Sequence, residues 1–300
     1  MKLNETICGD LGFNTIREWL ADHAHSENNA QFFRTLAPTL SKGNVNESHQ
    51  YSTEILAAFQ RDDNLPICTL PATESWLQEL AVPGAQLPPD PFKDILHILT
   101  QSRLLKKKLQ DKHFSNWQKQ SDSLLDLPKA EQKIASVFDD EFQVRPDASG
   151  TLKKIHQDLG NAQQRIQDRM QELFKEANRK GWLQEDRIVL RNGRSVLPIQ
   201  VTHKRKIKGI IQNKSATGHT VFIEPLEIIE LNNDLMELEF KKSEEIKRIL
   251  RKLTKFFAPL QPELQLSLGL LEKFDQHYTM AALAFDQEAI PPTLSPGGKL

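Results

Sequence analysis

Between Arg187 and Lys214 the chain places Arg187, Arg191, Arg194, Lys204, Arg205, Lys206, Lys208 and Lys214, and no Asp or Glu follows until Glu224. Side chains of this kind donate to phosphate oxygens and displace the counterions that a polyanion carries. Four of them fall within Lys204 to Lys208, a segment predicted to turn, where solvent or an anionic partner must offset their mutual repulsion. Arg191, Arg194, Lys204, Arg205, Lys206, Lys208 and Lys214 are therefore the expected nucleic-acid-binding residues, with Asn192, Gln212, Asn213, Ser215 and Thr217 available for further phosphate hydrogen bonds. No aromatic ladder and no recognition helix accompanies them, so binding is expected to follow the backbone and to tolerate any base sequence. The plainer alternative is that the cations protect the edges of a small sheet.

Elsewhere the sequence offers little chemistry. The nine histidines fall into no metal-ligand spacing, and Cys8 and Cys68 form neither a CxxC pair nor a Cys/His set. Asp139, Asp140 and Glu141 are expected as a solvated cap, because three adjacent acids point in different directions. No catalytic residue, metal or cofactor is assigned to this chain, and it is expected not to be an enzyme as it stands.

Lys+Arg 39 against Asp+Glu 40 leaves a net charge of -1, so any affinity for a polyanion must come from local clustering. With 38% hydrophobic and 26% charged residues, 300 residues are enough for more than one folded core. Acids stand where a signal peptide needs its apolar run, and no segment approaches the roughly 20 apolar residues of a membrane span. A cytoplasmic protein without a membrane partner is expected.

The elements that must position the basic cluster are read from periodicity. Helical spacing predicts a pair from Leu11 to about Ser41, capped by Asn14 or Thr15, and a helix from Ser48 to Arg61. A short helix is predicted over Glu74 to Leu80 within a proline-rich connection, then helices over Pro91 to Trp117 and Pro128 to Val137. Leu152, Ile155, Leu159, Ala162, Ile166, Met170, Leu173 and Ala177 make a heptad seam from Ser149 to Lys180. A second seam, Leu226 to Phe257, carries Ile228, Leu231, Leu235, Leu238, Ile246, Ile249, Leu253 and Phe256 and is interrupted once, by Lys242. Between the seams β-branched residues and the Asn192-Gly193 hairpin signal predict a small antiparallel sheet over Arg187 to Glu224. The fold class is mainly α: a helical core and two long antiparallel lever helices carrying a β clamp at their tip. Expected boundaries are 1–147 and 259–290 for the core, 148–186 and 226–258 for the lever, 187–225 for the clamp and 291–300 for a linker.

The run NKSATGHTVFIEPLEIIELNN, Asn213 to Asn233, resembles the signature of the second MutS subfamily, the MutS-two proteins. The resemblance extends through RIVLRNGRSVLPIQV and FDDEFQVRPDASGTLKKIHQDLG and covers nearly the whole chain. It implies a helical core, a lever and a clamp that contacts duplex or branched DNA, with roles in suppressing recombination or in a mismatch-repair-related process, or on rRNA at stalled ribosomes. It also implies an ATPase beyond Leu300, with ATP, magnesium and homodimerisation expected only for that missing domain. No GxxxxGK[ST] occurs, and Gly297-Gly298-Lys299 lacks the spacing of a phosphate loop. Phe222-Ile223-Glu224 has the Phe-x-Glu form of mismatch-probing MutS proteins but stands in a strand, where Phe222 or Ile223 is expected in the core and Pro225 opens the next helix. A rival from another class is a coiled-coil interaction module whose head docks an acidic protein.

Overall fold

The computed structural model of the chain describes residues 5–37, 42–66, 69–71, 74–191, 193–290 and 292. Ser41, Cys68, Asn192, the Gly297-Gly298-Lys299 run and most of the 291–300 segment lie outside these residues. The chain is mainly helical with one small sheet. In order it forms α1 (Glu5–Asp10), α2 (Phe13–His23), α3 (Glu27–Arg34), α4 (Lys42–Gln60), α5 (Glu74–Leu80), α6 (Pro89–Lys108), α7 (Ser115–Gln118), α8 (Pro128–Ala135), α9 (Gly150–Arg179), β1 (Val189–Arg191), β2 (Arg194–Gln200), β3 (Gly209–Lys214), β4 (Thr220–Pro225), α10 (Leu226–Phe257) and α11 (Gln261–Asp286). Two compact units result, one of residues 1–143 with 250–300 and one of Val144–Ile249.

In the first unit α11 supplies a face on which the others pack: Leu264, Leu271 and Phe274 are buried with Phe33, Ile55, Ile95 and Leu99. Trp117 sits against Tyr51, Phe274 and His277, with ring centroids 4.5, 5.0 and 5.5 Å away. The helix expected to run to Trp117 ends at Lys108 instead. Asp111 accepts the backbone N–H of His113 at 3.0 Å and starts a one-turn 3-10 helix. The resulting bend lets the Trp117 indole N–H donate to the Tyr51 carbonyl at 3.1 Å. α2 begins at Phe13 after Gly12 at φ 71°, so Asn14 and Thr15 lie inside the helix and do not cap it. Asp139 caps its turn, accepting from the N–H groups of Glu141 at 3.1 Å and Gln143 at 2.8 Å.

The second unit is a helix pair with a sheet packed on one end. Ser149 caps α9 through the Leu152 N–H at 2.9 Å and donates to Glu245 at 2.6 Å, while Arg169 near the other end of α9 meets Glu227 in the first turn of α10. These contacts make α9 and α10 antiparallel. Their seam buries Leu152, Ile155, Leu159, Ala162, Met170 and Ala177 from α9, and Ile228 and Ile249 from α10. It also runs through a charged position that the apolar pattern hides: Glu245 is buried and is held by Ser149 and Arg248. Towards the end of α10 the apolar stripe drifts, so Phe257 is buried and Phe256 is exposed, the reverse of the heptad reading.

Leu197, Ile199, Val221 and Ile223 on one sheet face pack with Met170, Ala177 and Ile228 into a single core. Burial of each Leu or Ile there contributes about 1.5–3 kcal/mol. The sheet order is β1-β2-β4-β3, every neighbouring pair antiparallel. Arg191 pairs with Arg194 across the β1–β2 hairpin, where Gly193 takes φ 74°. At the other junction Pro225 is the last residue of β4 and Leu226 opens α10, one residue later than the Pro-first reading.

Candidate nucleic-acid interface

β2 and β3 flank β4, and both run antiparallel to it, so they are parallel to each other. Gln200 lies beside Thr220, at the start of β4, and Gly209 lies beside Pro225, at its end. The segment Val201 to Lys208 must therefore travel the length of β4. It is a crossover that contains the expected turn, at Lys204 and Arg205, where the Lys206 N–H donates to the His203 carbonyl at 2.9 Å. A 3-10 turn at Val201–His203 starts it, and the Leu226 N–H donates to the Lys208 carbonyl at 2.9 Å and ends it. Val201 and Ile207 pack against the core, which leaves Lys204, Arg205, Lys206 and Lys208 exposed to solvent.

Gly209 is required at the end of this crossover. A Cβ there would lie 2.1 Å from the backbone oxygen of Glu224 on the neighbouring strand. Only glycine allows β3 to approach β4 so closely.

The predicted binding residues divide into three placements. Lys204, Arg205, Lys206 and Lys208 share the crossover, and the last two line a cavity formed with the C-terminal part of α9 and the start of α10. Arg191 and Lys214 line a separate open groove over Phe222, with the Arg191 guanidinium 4.7 Å from the ring centroid. All six are exposed, and none has a carboxylate partner among the described residues. Arg187, by contrast, pairs with Glu185 at 3.1 Å.

Arg194 belongs to neither patch, and its guanidinium is engaged with a carboxylate. Its Nη1 donates to both oxygens of Glu224, at 3.1 and 2.9 Å, and Glu224 is 0% exposed. Gln212 Nε2 at 2.7 Å and Asn232 Nδ2 at 3.1 Å donate to the same carboxylate. A register shift between Ile211 and Asn213 marks a bulge at Gln212, which aims its side chain at Glu224. Taking a carboxylate out of water is costly unless it is paired and fully hydrogen-bonded, and these three donors meet that requirement. Arg194 thus positions β2, β3, β4 and α10 around one buried charge.

Gln212, expected to be available to phosphate, has its amide engaged in the same network. Asn213 Oδ1 accepts the Lys214 N–H at 2.8 Å, and Ser215 Oγ accepts the Thr220 N–H at 3.1 Å while lying 3.3 Å from Thr217 Oγ1. These groups organise the β3–β4 loop. Phe222, Ile223 and Glu224 are all interior, in keeping with a strand segment that probes nothing.

Sequence reasoning missed Arg169, Lys180 and Trp182, which border the cavity with Lys206 and Lys208. Arg169 donates to Glu227 at 2.5 Å, and this bond holds the Glu227 carboxyl below the ordinary carboxylate range. Lys180 bonds Glu176, lowering that carboxyl likewise, and its ammonium stands 4.6 Å from the Trp182 ring centroid. No group of three or more His, Cys, Asp or Glu able to hold a metal occurs among the described residues. No described helix is long and apolar enough to cross a membrane.

The chain is 27% identical to a protein named Endonuclease MutS2 from Geobacillus sp. (strain WCH70), over 96% of this chain and 37% of that protein. It is 28% identical to Endonuclease MutS2 of Symbiobacterium thermophilum, over 97% of this chain and 37% of the relative. A Putative endonuclease MutS2 of Bacillus subtilis (strain 168) is 27% identical, over 99% and 38%. These relatives support the MutS2 family. The chain spans under two-fifths of the length of the MutS2 proteins it matches, and no family model matches it.

Proposed function

We propose that the chain forms the core, lever and clamp of a MutS-type protein, and that the clamp binds the nucleic-acid backbone without sequence preference. The lever is the α9–α10 pair (148–186 and 226–258), the clamp is 187–225, and the core is 1–147 with 259–290. Arg191, Lys204, Arg205, Lys206, Lys208 and Lys214 hold phosphates. Arg194 keeps the clamp in shape and touches no ligand.

The single observation behind this reading is that six exposed cations within one small domain lack carboxylate partners among the described residues, in a chain whose overall charge is nearly neutral. On α10 Lys241 pairs with Glu237, Lys242 with Glu239 and Lys247 with Glu244. Between Arg187 and Glu224 the clamp has no Asp or Glu to alternate with its cations. Charge left uncompensated at one place favours a polyanion, and long flexible lysines accept any phosphate spacing, which suits backbone binding.

The relatives' name adds a DNA-related context and supports duplex or branched DNA as ligand, with suppression of recombination as the process; rRNA on a ribosome is the second nucleic-acid target. ATP, magnesium and dimerisation are assigned to a domain outside these residues. A mobility-shift comparison of duplex, four-way junction and structured RNA, with the chain and its K204E/R205E/K206E variant, tests the proposal. Loss of binding in the variant with its circular dichroism intact is the expected result. Equal retention of all three ligands contradicts it and favours the acidic-protein docking module instead.

A further inference from the structure

We propose that the cavity between the crossover and the ends of α9 and α10 is a phosphate-monoester site of nucleotide size. The inference deepens the backbone-binding reading, sharing Lys206 and Lys208 with it, but concerns a different ligand. The cavity measures about 320 Å³ and is lined by Arg169, Glu176, Lys180, Trp182, Lys206 and Lys208, with Glu227 and Leu173 beside them. That volume suits one nucleotide and excludes a length of duplex.

Charge bookkeeping identifies the ligand's sign. Arg169 bonds both Glu227 and Glu172, and Lys180 bonds Glu176, so two cations there already face three carboxylates. Lys206 and Lys208 line the same cavity and have no such partner among the described residues, which brings four cations against three carboxylates and leaves a net positive charge. They are not free to drift apart: Ile207 between them is packed into the core, and the Lys208 carbonyl is held by the Leu226 N–H at 2.9 Å. Two lysines whose backbone is held in this way, on either side of the partly buried Ile207, present a positive pair that a phosphate dianion offsets with charge-assisted hydrogen bonds.

The apolar part of the wall indicates what the phosphate is attached to. Trp182 is half-buried and Lys180 stands over its ring, while Leu173 and Ile207 complete a greasy side. A base packs on the apolar side chains of such a wall, the Trp182 face under Lys180 being already taken. The occupant is therefore a nucleoside monophosphate, supplied either free or as the phosphorylated end of a strand.

Trp182 is the only tryptophan between Val144 and Ile249, so its fluorescence reports on the cavity. The whole chain is titrated at constant ionic strength with inorganic phosphate, deoxyadenosine 5′-monophosphate, deoxyadenosine, and a short single strand with and without a 5′-phosphate. A saturable change is expected with the monophosphate, a weaker one with inorganic phosphate and none with deoxyadenosine. W182F removes the optical signal while calorimetry still records binding. K206A and K208A each weaken binding about tenfold or more, as loss of one charge-assisted bond implies. A response confined to the free monophosphate identifies free nucleotide as the source, and one confined to the 5′-phosphorylated strand identifies strand ends; either upholds the site. No saturable binding of any phosphate probe, by fluorescence and by calorimetry, overturns it. R191A/K214A lies outside the cavity and should lower duplex affinity while leaving monophosphate binding unchanged, so failure of this inference and failure of the backbone reading give different results.

Discussion

Replacing Arg194 by Met separates a positioning role from a phosphate-binding one. Glu224 is fully buried and takes donors from Arg194, Gln212 and Asn232, with Arg194 its only cationic partner among the described residues. Removing one partner of a buried ion pair costs about 3–5 kcal/mol, because the remaining charge stays desolvated. Two neutral donors survive in R194M, so the lower figure applies and the loss should be about 3 kcal/mol. With an m-value of about 1–3 kcal/mol/M in urea, the unfolding midpoint moves down by about 1–3 M. The double variant R194M/E224M, which removes both charges and restores apolar packing, should recover much of that loss. Urea denaturation followed by circular dichroism is the assay, with tryptophan fluorescence beside it, Trp182 being the one of four tryptophans that borders the clamp core. The reasoning is refuted if R194M unfolds with the wild-type midpoint but binds duplex with a shallower salt dependence, for then Arg194 contacts phosphate and Glu224 manages without it.

G209A should destabilise the second unit by about 3 kcal/mol or more, because the added methyl meets the Glu224 backbone oxygen and forces two strands apart; unchanged thermal unfolding would contradict this. R191Q/K214Q should reduce the magnitude of the log–log salt slope of duplex binding by about 1.8, two phosphate contacts at about 0.9 each, without altering stability. His277 lies 2.9 Å from Ser52 Oγ, and burial, helped by nearby Lys273, lowers its pKa to about 4. The unfolded imidazole titrates near the ordinary value of about 6.5, so the unfolded chain takes up the proton first as pH falls. The stability from keeping His277 neutral is complete above about pH 6.5, declines through that window and levels off below about pH 4, a total of about 3 kcal/mol. H277Q should flatten the pH dependence of the urea midpoint between pH 7 and 4, and identical curves for variant and wild type would show that the imidazole is not held neutral.

Periodicity carries most of the fold because helices and strands bury one face each. The seams over Leu152 to Ala177 and from Ile228 onward, the short helix Glu74–Leu80 and the sheet between the long helices are all legible in this way. What escapes is set by neighbours distant in sequence. The Lys204 to Lys208 run begins in a turn as read, but nothing local says that it belongs to a crossover with β4 inserted between β2 and β3. Arg194 reads as one more cation because Glu224, thirty positions later, is the only acid of the strand region and gives no sign of pointing at it. Glu245 looks like a surface charge on an amphipathic helix, yet it sits in the seam because Ser149 on the opposite helix supplies a partner. Gly209 carries no turn signature, and its need for glycine appears only once the opposing backbone is in place. The cavity residues Arg169, Lys180 and Trp182 come from three turns of structure with no shared motif.

The central claim is that uncompensated cations of the clamp neutralise phosphates. Its most direct test is the slope of log binding constant against log salt for a duplex of mixed sequence, measured for the chain and for K204Q/R205Q/K206Q. The account predicts that the slope loses about 2.7 in magnitude, three contacts at about 0.9 each, with the same loss on an unrelated sequence. An unchanged slope and affinity in a variant that remains folded would contradict it.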